Sequence, residues 1–123
     1  MVANYYYRHI DSPYVTLPGR EEWLKPTDQN PFHSDNVFHI FPILTPYRAD
    51  LQQYLKDQGV GTMIHYPIPP HHQQCYAEWN SLSLPVTEKI HSQELSLPCN
   101  QVMPRKEVAY VAQCVNRFVP HNP

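Results

Sequence analysis

A histidine and a phenol side by side, followed by prolines and two more imidazoles, make His65-Tyr66-Pro67-Ile68-Pro69-Pro70-His71-His72-Gln73 the densest concentration of functional side chains in the sequence. Imidazole and phenol both donate hydrogen bonds to anionic or hydroxyl-bearing ligands. Proline fixes φ, so groups carried on such a loop lose little entropy when a ligand arrives. The residue types are also compatible with a plain turn in which His65 ends a strand and Tyr66 buries its ring. A third use, as a proline-rich ligand for a partner domain, suits a longer and more exposed run than Pro67-Ile68-Pro69-Pro70.

Imidazole and thiolate suit zinc, which brings His65, His71, His72 and Cys75 together as candidate donors. Adjacent side chains in extended backbone point to opposite sides, so His71 and His72 are not expected to share an ion, and no metal site is expected. His39 lies in an apolar run and reads as a buried histidine with one satisfied nitrogen. Glu21 and Glu22 read as solvated charges. No serine or cysteine stands in a recognisable nucleophile context, so no catalytic residue is assigned. Cys75, Cys99 and Cys114 cannot all pair within one chain and read as reduced thiols.

The elements around the histidine loop follow from periodicity and punctuation. Residues 1–9 read as the end of a helix without a capping residue before it. Residues 11–36, with Pro13, Pro18, Pro26 and Pro31 among Asp, Ser, Gly and Asn, read as a long loop with Trp23 and Leu24 anchored to the core. Residues 37–44 form an apolar run expected of a strand covered on both sides, with Pro42 at an edge or a bulge. Thr45 as N-cap, Pro46, then Tyr47, Leu51, Tyr54 and Leu55 at helical spacing and Gly59 as stop define a helix. Residues 60–64 read as a second strand reached by a crossover, residues 74–79 and 86–94 as short helices, and residues 95–97 as a third strand. Pro104 opens a last helix whose Val108, Val111, Ala112, Val115 and Phe118 recur at three and four residues. The order predicts an α/β (α+β) fold, a two-layer sandwich with a small mixed or antiparallel sheet packed against helices.

Length and composition remove several function classes. The 123 residues suit one domain. A net charge of −2 without a Lys/Arg cluster leaves no footprint for nucleic acid. No apolar run approaches the roughly 18 to 20 residues of a membrane span, so no membrane partner is expected. Residues 1–9 lack the features of a secretory signal, and the cytoplasm is the expected compartment. With only three glycines, neither a dinucleotide fingerprint nor a P-loop can be written.

Three ordered strings, residues 37–43, Arg48-Ala49-Asp50-Leu51-Gln52-Gln53-Tyr54-Leu55, and Ile64-His65-Tyr66-Pro67-Ile68-Pro69-Pro70-His71, resemble the C-terminal part of the DegT/StrS-type nucleotide-sugar aminotransferases, which use pyridoxal phosphate. Glu78-Trp79-Asn80, residues 82–91 and Leu95-Ser96-Leu97-Pro98 continue the likeness. Within that family the resemblance is to enzymes that aminate a keto-hexose linked to dTDP in making 3-amino-3,6-dideoxy sugars for surface polysaccharide. It implies a fold-type I aminotransferase, normally a homodimer, that passes an amino group from glutamate to a keto sugar. It further implies that residues 1–36 are the end of an interdomain helix with a long connecting loop, and residues 37–123 the small C-terminal domain. His65 and Tyr66 then fall at the positions that approach the nucleotide-sugar substrate. His71 also matches, without a role carried over, while His72 stands where relatives commonly have lysine.

The cofactor of that family is held by a large N-terminal domain, absent from these residues. Lys25, Lys56, Lys89 and Lys106 do not match the cofactor lysine's motif, so no pyridoxal phosphate is expected on this chain by itself. The expectation is a fragment inactive alone; the alternative is a stand-alone binding or regulatory module derived from the same domain. Both predict self-association through an apolar face at Tyr5, Tyr6 and the neighbouring strand, exposed where a large domain is missing.

Overall fold

The structure, a computed structural model, describes residues 2–24 and 38–122. Helices α1 (Val2–His9) and α2 (Arg20–Leu24) precede strand β1 (Phe41–Leu44) and helix α3 (Arg48–Asp57). Two 3₁₀ segments, Pro70–His72 and Gln74–Trp79, lead to α4 (Pro85–Gln93), β2 (Glu94–Leu97) and α5 (Arg105–Arg117). None of the described helices is long and apolar enough to cross a membrane.

Strands β1 and β2 pair antiparallel, with Phe41 opposite Leu97, Pro42 opposite Ser96, Ile43 opposite Leu95 and Leu44 opposite Glu94. Period-two alternation therefore divides the sheet into two faces. Phe41, Ile43, Leu95 and Leu97 share one face and are all buried, and Pro42, Leu44, Glu94 and Ser96 share the other. Single antiparallel bridges extend both edges, Thr16 beside Leu44 and Met63 beside Ser96. Leu44 turns its backbone N–H and C=O to Thr16, at 2.9 and 2.8 Å. Pro42, two residues earlier, faces the same outer edge, so its missing N–H costs the β1–β2 ladder nothing.

The apolar face is covered by α1, whose Tyr6 and Tyr7 rings lie 4.9 and 5.0 Å from that of Phe41. Helix α5 packs on α1 and α3 through Val108, Val111, Ala112 and Val115, giving the two layers expected. Tyr6 is fully buried and donates its hydroxyl to the Pro98 carbonyl at 2.6 Å, while Tyr7 donates to the Pro18 carbonyl at 2.6 Å. Burial above all, then the neighbouring Cys99, pushes the Tyr6 phenol well above its ordinary pKa. Burial and then Glu22 push Tyr7 up as well.

Several sequence expectations are corrected. Residues 11–36 are not wholly loop: Gly19 at φ +80 opens α2, which seats Trp23 in the core but leaves Leu24 exposed. Residues 25–37, with Pro26, Pro31 and Val37, lie outside the described residues. The first strand begins only at Phe41, because Phe38 takes φ +51 and turns the chain; its ring packs among Tyr7, Trp23 and Phe41. His39 follows that turn and is exposed, so the doubly covered strand expected to bury it does not form there. Thr45 is buried, and its Oγ1 accepts the Tyr47 N–H at 3.0 Å, capping a turn from which α3 starts three residues later. Gly59, at φ +81, ends α3 as expected, and Val60 N–H closes back on the Leu55 carbonyl at 2.8 Å. Residues 60–64 form no strand beyond the bridge at Met63, because a single exchanged pair of hydrogen bonds with Ser96 holds them. The exposed face expected at Tyr5 and Tyr6 is closed, since Tyr6 packs on the sheet and Tyr5 is half-buried beside His9.

Candidate functional site

Strand β2 reads Glu-Leu-Ser-Leu, so its two polar residues fall on one face and its two leucines on the other. The bridge at Met63 brings the chain along the outer edge of β2, and His65 arrives beside Glu94 and Ser96. The His65 backbone N–H donates to Glu94 Oε2 at 2.7 Å, and the Ser96 hydroxyl donates to Glu94 Oε1 at 2.5 Å. Each oxygen of a buried carboxylate is thus satisfied, as a charge out of water requires. Ser96 Oγ also lies 2.8 Å from His65 Nδ1. Ser96 has one proton and gives it to Glu94, so the network assigns the hydrogen of that contact to His65 Nδ1, which in the neutral imidazole leaves Nε2 the acceptor.

The peptide bond from His65 to Tyr66 is cis, and the two rings stand edge to face at 5.3 Å. Tyr66 is 63% exposed, which excludes the turn in which its ring is buried. Its carbonyl accepts a hydrogen bond from His91 Nδ1 at 2.6 Å, and the His91 carbonyl accepts one from the Arg48 guanidinium. Tyr66 is thus presented to solvent by a backbone tied to α4 and α3.

Beyond it, Pro69 and Pro70 start a 3₁₀ turn that holds His71 and His72. Asn80 Nδ2 points at the carbonyls of His71, Gln73 and Tyr76, at 2.8, 3.3 and 3.3 Å, gathering the following segment around one amide. The extended backbone assumed for the two histidines is therefore not what forms. Their ring centroids are 4.0 Å apart, and both approach Glu88 on the first turn of α4. His65 and Cys75 stand outside that group, and Cys75 is exposed.

The structure brings His65 together with Glu94, Ser96 and, through Tyr66, His91, none of which was singled out from the sequence. The available signal was Glu94 and Ser96 at a spacing of two inside an otherwise apolar strand, which places two polar groups on one sheet face. A separate concavity of about 850 Å³ runs along α1 and the chain after β2, with Tyr5, His39, Asn100 and Arg105 among its walls. It does not include His65 or Tyr66.

The DegT/DnrJ/EryC1/StrS aminotransferase family profile matches residues 8–116. A dTDP-3-amino-3,6-dideoxy-α-D-galactopyranose transaminase from Aneurinibacillus thermoaerophilus is 42% identical over 117 residues, 95% of this chain and 30% of that protein. This chain belongs to the DegT/DnrJ/EryC1/StrS aminotransferase family. The erythromycin biosynthesis protein EryC1 of Saccharopolyspora erythraea is 33% identical over 89% of this chain and 28% of its own length. Among solved structures, DesV of S. venezuelae in complex with a ketimine intermediate superimposes with a TM-score of 0.77 at 29% identity, covering 94% of this chain and 29% of that one. NtdA of Bacillus subtilis, with bound cofactor PMP, gives a TM-score of 0.71 at 29% identity, over 93% of this chain and 26% of its own. The chain spans less than a third of the length of these relatives.

The cofactor implied by the family needs an amine that desolvation or a flanking cation keeps nucleophilic. Lys56, Lys89 and Lys106 are all exposed, and Lys25 lies outside the described residues. The described residues do not fit a Schiff-base site.

Proposed function

We propose that this chain supplies the small C-terminal domain of a nucleotide-sugar aminotransferase, and that His65 and Tyr66 contact the keto-sugar nucleotide. One observation carries the reading: His65, held by Glu94 and Ser96 through its backbone N–H and Nδ1, stands beside the exposed Tyr66, and its neutral ring offers Nε2 as an acceptor. An acceptor next to a phenol that both donates and accepts suits the hydroxyls of a sugar and the oxygens of a nucleotide phosphate. The likeness to a transaminase named for a dTDP-linked 3-amino-3,6-dideoxy sugar supports that substrate class.

The amino-group carrier, pyridoxal phosphate, supplies the transfer chemistry in such an enzyme. In this reading a large domain outside these residues holds it, glutamate is the donor, and the chain by itself is inactive and binds no cofactor. The reading extends to a cytoplasmic enzyme that makes amino sugars for surface polysaccharide. It includes self-association, supported by the exposed Trp79, Leu82, Leu84, Val86 and Ile90 around α4.

Incubating the purified chain with pyridoxal phosphate, glutamate and a dTDP-linked keto-hexose should give no amino sugar; turnover above that of the free cofactor would refute inactivity. An immunoblot of source cells should show a species several times heavier than 14.4 kDa. A native band at the chain's own mass would instead favour a stand-alone binding module. Within the longer enzyme, Tyr66→Phe should raise KM for the sugar nucleotide with that for glutamate unchanged, and unaltered kinetics would remove Tyr66 from the site.

A further inference from the structure

The substrate reading leaves unused the group His71, His72 and Glu88. Proline at 69 and 70 starts the 3₁₀ turn, and the turn sets the two imidazoles near each other instead of on opposite sides of an extended strand. Their Nε2 atoms converge on one oxygen, Glu88 Oε1, at 3.4 Å from His71 and 3.2 Å from His72. One donor atom from each of the three residues lies within 4.8 Å of the other two.

His71 supplies the second observation. Its side chain is buried, at 4% exposure, and neither Nδ1 nor Nε2 has a hydrogen-bond partner. At 3.4 Å, the approach of Nε2 to Glu88 does not make a hydrogen bond. A buried imidazole with both nitrogens unused pays for desolvation and gains nothing in return. A cation among the three side chains would change that, giving His71 Nε2 a ligand bond and neutralising the Glu88 carboxylate.

The spacing fits. Ligand bonds of about 2.0–2.1 Å to a tetrahedral zinc ion put neighbouring donor atoms about 3.3 Å apart. The two nitrogen-to-oxygen separations fall either side of that value, and all three donor atoms lie within 4.8 Å of one another, so closing on an ion asks for a small side-chain adjustment. Two imidazoles and one carboxylate are donors that suit zinc, and among the described residues no fourth His, Cys, Asp or Glu joins them. The side chains of His72 and Glu88 are 38% and 33% exposed, so a water can complete the set.

We propose that His71, His72 and Glu88 form a site for a divalent transition-metal ion of the zinc type, which fastens the proline loop to the first turn of α4. The loop leaves the sheet at His65 and returns to it through α4, so an ion at this point closes the segment that carries Tyr66. Asn80 already holds the other side of the same turn through the His71 carbonyl. The site does not depend on the sugar-nucleotide reading, because its donors are distinct from His65 and Tyr66.

The test is a titration of the chelator-treated full chain with Co²⁺, followed by Zn²⁺. Saturation at one equivalent, with the visible bands of a tetrahedral cobalt site that zinc then bleaches, is expected. His72→Ala and Glu88→Gln, at part-exposed positions that the fold does not need, should each weaken binding by about tenfold or more, the loss that even outer-shell changes produce. His39→Ala and His121→Ala should leave it unchanged. Zinc should also slow proteolysis between residues 66 and 84 in the unaltered chain and not in His72→Ala. Absence of a saturable band, or equal binding by His72→Ala and Glu88→Gln, would overturn the site and leave an adventitious ion on surface histidines only.

Discussion

The two faces of the β1–β2 sheet divide eight residues between them, four to each, and do opposite work. On one, Phe41, Ile43, Leu95 and Leu97 meet the rings of α1 and are almost wholly removed from water. On the other, Glu94 and Ser96 are just as buried but polar, and each oxygen of the acid is met by a donor. The apolar face is held by area, which is non-directional and tolerates small shifts. The polar face is held by direction, which tolerates none, and it fixes His65 beside the exposed Tyr66. The packed core and the polar network that holds His65 are thus separated by the thickness of one strand.

If that division is right, truncation on the apolar face should cost most and leave the site's hydrogen bonds alone. Phe41→Ala is expected to lower unfolding stability by about 3–5 kcal/mol, read as the urea midpoint, because Tyr6, Tyr7, Trp23 and Phe38 all lean on or near that ring. A loss under about 1 kcal/mol would show that the face is not a packed core. On the polar face, Glu94→Gln keeps the shape but places an amide where a donor now points. The expected loss is about 1–3 kcal/mol, the cost of a buried polar group left poorly matched. The sharper readout is the His65 ring, whose NMR signals should shift and broaden as its anchor loosens. A variant as stable as the parent with an unchanged His65 signal would show that the Glu94 network does not position the site.

The same division explains what could be read from the sequence. Helix α5 and the stop of α3 were legible because burial repeats at three and four residues and because Gly59 takes a left-handed conformation. The loop at His65 and Tyr66 was legible as a dense cluster of functional types, and the structure does hold His65 in a polar network with Tyr66 exposed. What held them was not, since Glu94 comes from a strand 29 residues away and was read as the end of a helix. His71 and His72 were misread for a local reason: alternation belongs to extended backbone, and Pro69-Pro70 starts a 3₁₀ turn there instead. His39 fails likewise, because the positive φ of Phe38 turns the chain one residue before it and the strand starts only at Phe41. Short-range pattern shows which residues are functional types; the pairing of distant strands decides which of them meet.

The smallest effect concerns a polar tie on the apolar face, the Tyr6 hydroxyl on the Pro98 carbonyl just past β2. Tyr6→Phe should cost about 1 kcal/mol near neutral pH, the net worth of a hydrogen bond to a neutral carbonyl. Its sign with pH is fixed by burial, which raises the folded-state pKa of Tyr6 above that of the unfolded chain. The folded state therefore holds the phenolic proton more tightly than the unfolded one. This contribution is complete below about pH 10, the ordinary tyrosine value, and is lost as pH rises beyond it. The parent should lose stability more steeply than Tyr6→Phe above that pH, so that the gap between the two narrows. Tyr7, raised in the same direction, remains in both proteins and cancels from the difference. A gap that stays constant or widens in thermal melts across this range would mean that Tyr6 is hydrated in the folded chain and that the apolar face is open at α1.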